Sequence, residues 1–242
     1  MLRLILTSLL VSFFTTLASA DVEVKVETMD AADKKLMVKQ VKSNIMQIAQ
    51  NFSGMGDPDG QIQAQLQIQV DRLIALSPQK RVKDRLDLIV GPWKQIFGPY
   101  EFSAERSENS TLDPEHVYQI VYEDGYYYNV GQNNYFGAKV ISALRGIYEL
   151  QDDGLLAVQF TDVRFRWGTL EEATDYVSLP ALIENKEIRS LRIPDFFTGP
   201  IFRITGTLRE VYTDQDMRIL YGSTSDGTFD DYIYIMERVD LP

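Results

Sequence analysis

Ile201-Phe-Arg-Ile-Thr-Gly-Thr-Leu-Arg-Glu-Val-Tyr-Thr213 is the stretch whose reading decides the fold. Phe202, Ile204, Leu208 and Tyr212 share one face, and Arg203, Thr205, Thr207 and Arg209 share the other. That alternation is the mark of a half-buried strand. Asp214-Gln215 makes a tight connection, and Met217 to Tyr221 runs back. The polar, glycine-bearing loop Gly222 to Gly227 then leads to a third strand, Tyr232 to Met236. Short alternating strands joined by turns of a few residues predict an antiparallel meander rather than βαβ units. Such a meander has one apolar face and needs more sheet to close against.

The chain upstream supplies it. Trp93 to Phe97 reads as a strand opened by Gly91-Pro92. His116–Tyr122 and Tyr126–Gln132 read as a hairpin across Glu123-Asp124-Gly125, where Asp-Gly is a strong turn signal. Ala138–Leu150 and Leu155–Trp167 are two long strands joined at Asp152-Asp153-Gly154. Glu101–Pro114 reads as a polar loop, and Thr169–Pro200, with Pro180 and Pro194 inside it, as an excursion over one end of the sheet. The count is about eight strands, the number that closes a barrel just wide enough for side chains or one small ligand.

Two helices precede the sheet. Asp30 is placed to cap the first, along which Met37, Val41, Ile45, Ile48 and Phe52 form one apolar stripe ending at Gly54. Gln61–Leu76 fits strand alternation as well as helical spacing. Its glutamines favour helix, and Ser77-Pro78 ends it. The fold class expected is therefore mainly β (α+β), with residues 21–85 a helical preface to a barrel over 86–242.

Residues 1–20 are set apart. A charged start at Arg3, an apolar run from Leu4 to Leu17 and Ala18-Ser19-Ala20 before Asp21 follow the order of a secretory signal peptide. The expectation is an exported protein, periplasmic or secreted, cleaved after Ala20. The chain carries a formal net charge of −11, which argues against nucleic acid as a partner. It has no cysteine and one histidine, His116, so thiol chemistry is excluded and metal and triad schemes are nearly so. No phosphate loop, metal-spaced cluster or nucleophile elbow occurs, and the expectation is no cofactor, no metal and no catalysis.

Several segments, taken in order, resemble the plastid lipid-associated protein (PAP)/fibrillin family. The helix ending in Val70-Asp-Arg-Leu-Ile-Ala-Leu-Ser-Pro78 is followed by Gly91-Pro92-Trp93, then by His116-Val-Tyr-Gln-Ile120 with Tyr128-Asn129-Val130. The most similar piece is Tyr212-Thr-Asp-Gln-Asp-Met-Arg-Ile-Leu-Tyr-Gly222. The resemblance spans most of residues 21–242. It implies a lipocalin-like barrel and association with lipophilic molecules of isoprenoid, quinone or carotenoid type. The leader departs from a plastid transit peptide, so plastid roles are not implied.

In a barrel of that kind Trp93 is expected to plug the closed end against an arginine from a late strand, Arg218 first and Arg238 second. Val163, Phe165 and Trp167 on one strand and Phe202, Ile204 and Leu208 on another are the candidate ligand-binding walls. Asp214 and Asp216 read as turn chemistry, Asp214 in the turn itself and Asp216 linked to Arg218, and His116 as a surface residue. The leading functional expectation is non-catalytic binding of a hydrophobic small molecule, with peripheral membrane contact as a further partner. The alternative is a scaffold or membrane-surface protein with a filled barrel.

Overall fold

The computed structural model describes residues 29–53, 57, 59–99, 110–135, 137–151, 155–169, 205–225, 227 and 230–239, the side chains at 110, 111, 135, 162–164 and 166 excepted. The leader, the Thr169–Pro200 excursion beyond Thr169, and the positions of Phe202 and Ile204 lie outside the described residues. Helix α1 (Ala31–Asn51) starts where Asp30 Oδ1 accepts the Asp33 amide at 2.8 Å, the cap its sequence predicts. Its residues Val41, Ile45 and Ala49 are buried.

Helix α2 (Gln61–Leu76) settles the ambiguous stretch in favour of helix. Asp57 accepts the Ile62 and Gln63 amides at 3.2 and 2.7 Å, and Gly60, at φ +65°, turns the chain into the first turn. Leu66, Val70, Leu73 and Leu76 form its buried stripe. The glutamines that weakened a strand reading also dock the helix. Gln63 Oε1 accepts the Ile233 amide at 3.1 Å, and Gln67 Oε1 accepts the Tyr221 hydroxyl at 2.7 Å.

A 3₁₀ turn (Val82–Asp84) and a one-turn helix α3 (Leu86–Ile89) lead into the sheet. The eight strands are β1 (Gly91–Phe97), β2 (Ser110–Val121), β3 (Tyr126–Tyr135), β4 (Ala138–Leu150), β5 (Leu155–Trp167), β6 (Thr205–Thr213), β7 (Met217–Thr224) and β8 (Tyr232–Arg238). They pair in sequence order, all antiparallel, and β8 returns to pair with β1, closing a lipocalin-like barrel. The β2–β3 and β4–β5 hairpins form as expected. Strand β2 begins at Ser110, inside what reads as loop, because Ser110–Leu112 continue the ladder on the far side of an irregularity between Leu112 and Val117.

The register fixes which side chains face inward. One rung runs from Trp93 through Gln119 and Asn129 to Leu144, whose register partner on β5 is position 163. Along β5, Phe165 and Trp167 continue that inner face toward one end, opposite Ser142 and Val140. In β6 the alternation read from sequence holds, with Thr205, Thr207 and Arg209 exposed and Gly206, Leu208 and Glu210 buried. A core cluster of Val82, Ile89, Trp93, Val121, Tyr127 and Leu156, among others, fills the opposite end of the barrel.

Candidate functional site: a plugged barrel and its lumen

Trp93 is fully buried, and its indole Nε1 donates to the Ile89 carbonyl at 2.8 Å, tying the plug to α3. Arg238 lies over its ring with the guanidinium carbon 4.1 Å from the centroid; Arg218 is at 6.0 Å. The order expected from sequence is therefore reversed. The cause is register: Arg238 stands directly opposite Trp93, whereas Arg218 stands opposite Met236. Arg238 also donates to the carbonyls of Leu88, Val90 and Gln215, so one side chain joins α3, the plug and the β6–β7 turn. Gly91 is needed here. At φ +122° it turns the chain into β1, and a Cβ there would sit 2.6 Å from Arg238 Nη1.

Arg218 is engaged elsewhere. Its Nε lies 3.1 Å from both carboxylate oxygens of Glu210, its Nη2 donates to Oε1, and its Nη1 donates to Gln119 Oε1 at 3.3 Å. Both side chains have zero exposure, so this is an ion pair sealed inside the barrel. Arg85 supports it from the loop side, donating to Thr213 Oγ1 at 2.9 Å and to the Glu210 carbonyl at 2.8 Å. The expected Asp216–Arg218 link is absent among the described ion pairs. Asp216 is on the exposed turn, 86 % accessible and 3.8 Å from Lys42, while Arg218 points inward.

Asp214 does what turn chemistry predicts. Its Oδ1 accepts the amides of Asp216 and Met217 at 3.0 and 2.9 Å. Its Oδ2 accepts Lys42 Nζ at 2.6 Å and the Tyr212 hydroxyl at 2.7 Å. Burial opposes the charge, but these four donors outweigh it and hold the carboxyl below its ordinary value. The same carboxylate, with burial, pushes the Tyr212 hydroxyl upward.

His116 is not a lone surface residue. Its Nδ1 is 2.9 Å from Asp113 Oδ2, which also accepts Gln132 Nε2 at 3.1 Å. Residues three apart normally fall on opposite faces of a strand; the irregularity between Leu112 and Val117 brings these two together.

The predicted ligand walls separate. Leu208 pairs with Leu156 inside the plug-end cluster. Phe165 is half-buried farther up β5, and Trp167 at its end is 51 % exposed. Val163 pairs with Leu144, but its side chain is not described. The described structure thus does not bring Leu208 and Trp167 together.

Sequence reasoning missed the polar content of the lumen. Gln95 stands two residues from Trp93 and opposite Met236, and Tyr234 packs on the plug-end cluster. Glu210 interrupts an apolar row in β6, a visible signal once a buried cation is sought for it. Among the described residues, no group of three His, Asp or Glu side chains is placed to hold a metal ion. No protein-family model and no curated protein matches the chain.

Proposed function

We propose that the barrel binds a lipophilic small molecule of isoprenoid, quinone or carotenoid type, without transforming it. The observation that carries this reading is the gradient along the inner face. Burial is complete at Trp93, partial at Phe165 and only half at Trp167, as in a cup with a plugged base and an open mouth. Space beside β6 supports it: a Cβ on Gly206 would meet, among the described residues, only the Ser223 carbonyl at 3.7 Å. Above that polar base, the wall at Phe165 and Trp167 offers apolar area, which suits a flat or extended lipophile. The exposed ring of Trp167 at the mouth suits contact with a membrane surface from which the ligand is drawn. The leader would deliver the protein across a membrane, so the ligand is met in the periplasm or outside the cell.

Burying about 300 Å² of ligand at roughly 25 cal/mol per Å² yields about 7 kcal/mol before ordering costs, which corresponds to micromolar binding at best. The test is native mass spectrometry of the protein recovered from its own host. It is expected to give a chain beginning at Asp21 that carries a non-covalent lipophile. Tryptophan-fluorescence titration with a decyl-substituted benzoquinone is expected to saturate in the micromolar range. A ligand-free chain that also shows no saturable quenching would sink the reading in favour of a filled scaffold barrel.

A further inference from the structure

Gln95 is only 4 % exposed, and among the described residues its Nε2 has no hydrogen-bond partner. A buried donor left unsatisfied costs on the order of tenfold or more in an equilibrium constant, and native folds rarely tolerate it without a reason. Its position supplies one. The β1 register puts Gln95 on the lumen side, beyond the Trp93 plug and across from Met236. A Cβ on Gly98 would fall 2.8 Å from the Gln95 amide carbon and nitrogen and 3.0 Å from Tyr234 Cδ1. The bare backbone at Gly98 therefore lets the amide and the phenol ring lie side by side. The far edge of the same ring lies over Gly222, where a Cβ would come within 2.6 Å of Cε2.

The Tyr234 hydroxyl forms no hydrogen bond with a described residue, and burial raises its pKa, so it stays protonated. The amide thus lies against one edge of a neutral phenol ring whose hydroxyl end lies toward Gly222. The neighbouring lumen cation, Arg218, is already matched by Glu210, so among the described residues it leaves no unmatched charge for a carboxylate or phosphate. What complements an amide N–H beside a phenol is a neutral oxygen with two lone pairs.

We propose that Gln95 anchors the ligand through a carbonyl oxygen, so that the barrel selects a ketone- or quinone-bearing lipophile over a plain hydrocarbon. The proposal rests on the lipophile-binding reading above and narrows it to one chemical class. The probes are a decyl-substituted benzoquinone and decylbenzene, which share the tail and differ in the carbonyls. Wild-type protein is expected to bind the quinone about tenfold more tightly. In Gln95→Leu the quinone affinity is expected to fall by about that factor, bringing the two ligands level. Infrared difference spectra of the wild-type complex, with the quinone labelled at its carbonyl carbons, are expected to show one carbonyl stretch moved to lower wavenumber. That measurement decides the matter even if Gln95→Leu fails to fold. Equal wild-type affinities, a preference that survives Gln95→Leu, or an unshifted carbonyl each overturn the anchor while leaving lipophile binding intact. Absence of binding by both probes overturns the lipophile reading itself, and the anchor with it.

Discussion

The ion pair inside the barrel makes a quantitative prediction. Glu210 receives three guanidinium contacts from Arg218, and neither side chain touches solvent. Replacing Glu210 with Leu leaves that guanidinium, among the described hydrogen-bond partners, only the Gln119 oxygen at 3.3 Å. Arg85 does not rescue it, since its bond is to the Glu210 backbone carbonyl, which the substitution leaves in place. An uncompensated buried charge costs about 3–5 kcal/mol. With a urea dependence of about 2 kcal/mol per molar, the unfolding midpoint is expected to drop by about 1.5–2.5 M. Arg218→Met, which strands the carboxylate, is expected to cost about the same. The double variant Glu210→Leu/Arg218→Met removes both charges with little change in volume and is expected to return within about 1 kcal/mol of wild type. The coupling in this double-mutant cycle is then at least about 5 kcal/mol, readable from urea curves of the four proteins. Single variants each costing under about 1 kcal/mol would show that water reaches the pair and that the plugged end is not sealed.

Two further expectations follow from the same end of the molecule. Trp93→Ala removes a fully buried indole and its bond to Ile89, and is expected to cost about 3–5 kcal/mol, seen as a melting temperature lower by about 6–20 °C; an unchanged melting temperature would contradict its role as plug. Asp214→Asn is expected to destabilise in a pH-dependent way: the folded carboxyl sits below its ordinary value, so its contribution is present above about pH 4 and lost as pH falls through the folded pKa. The melting-temperature gap between wild type and Asp214→Asn should therefore close on acidification from pH 7, and a gap independent of pH would mean that the charge is not what matters.

Much of the barrel could be read from the chain because alternation and turn residues are local signals. β4 and β5 carry long alternating runs, and Asp124-Gly125 announces the β2–β3 turn, so these elements emerge with their expected bounds or nearly so. The helical outcome of Gln61–Leu76 was legible through propensity, although its apolar pattern fits both periods. What local signals do not carry is cross-strand register. Arg238 rather than Arg218 lies nearest Trp93 because β1 and β8, at opposite ends of the sequence, align Trp93 with Arg238. Glu210 finds Arg218 across the β6–β7 hairpin, with a bulge between Glu210 and Tyr212 adjusting the fit. The His116–Asp113 pair depends on a strand irregularity that residue types do not announce. The candidate site suffered most. Alternation identifies an inner face but does not say at what height each residue sits, so Leu208 at the plug and Trp167 at the mouth looked like parts of one wall.

The closing seam between β1 and β8 has a consequence for how the molecule comes into being. Trp93 aligns with Arg238, so the last ladder of the barrel joins residues almost a hundred and fifty positions apart, and it cannot form until nearly the whole polypeptide has left the ribosome. Contacts of such long range make folding slow and place the commitment step late. Until then both border strands present unpaired amides and carbonyls, the feature by which strands recruit foreign partners. Once the seam shuts, no border remains. The interval before closure is when the chain most needs a chaperone at its side.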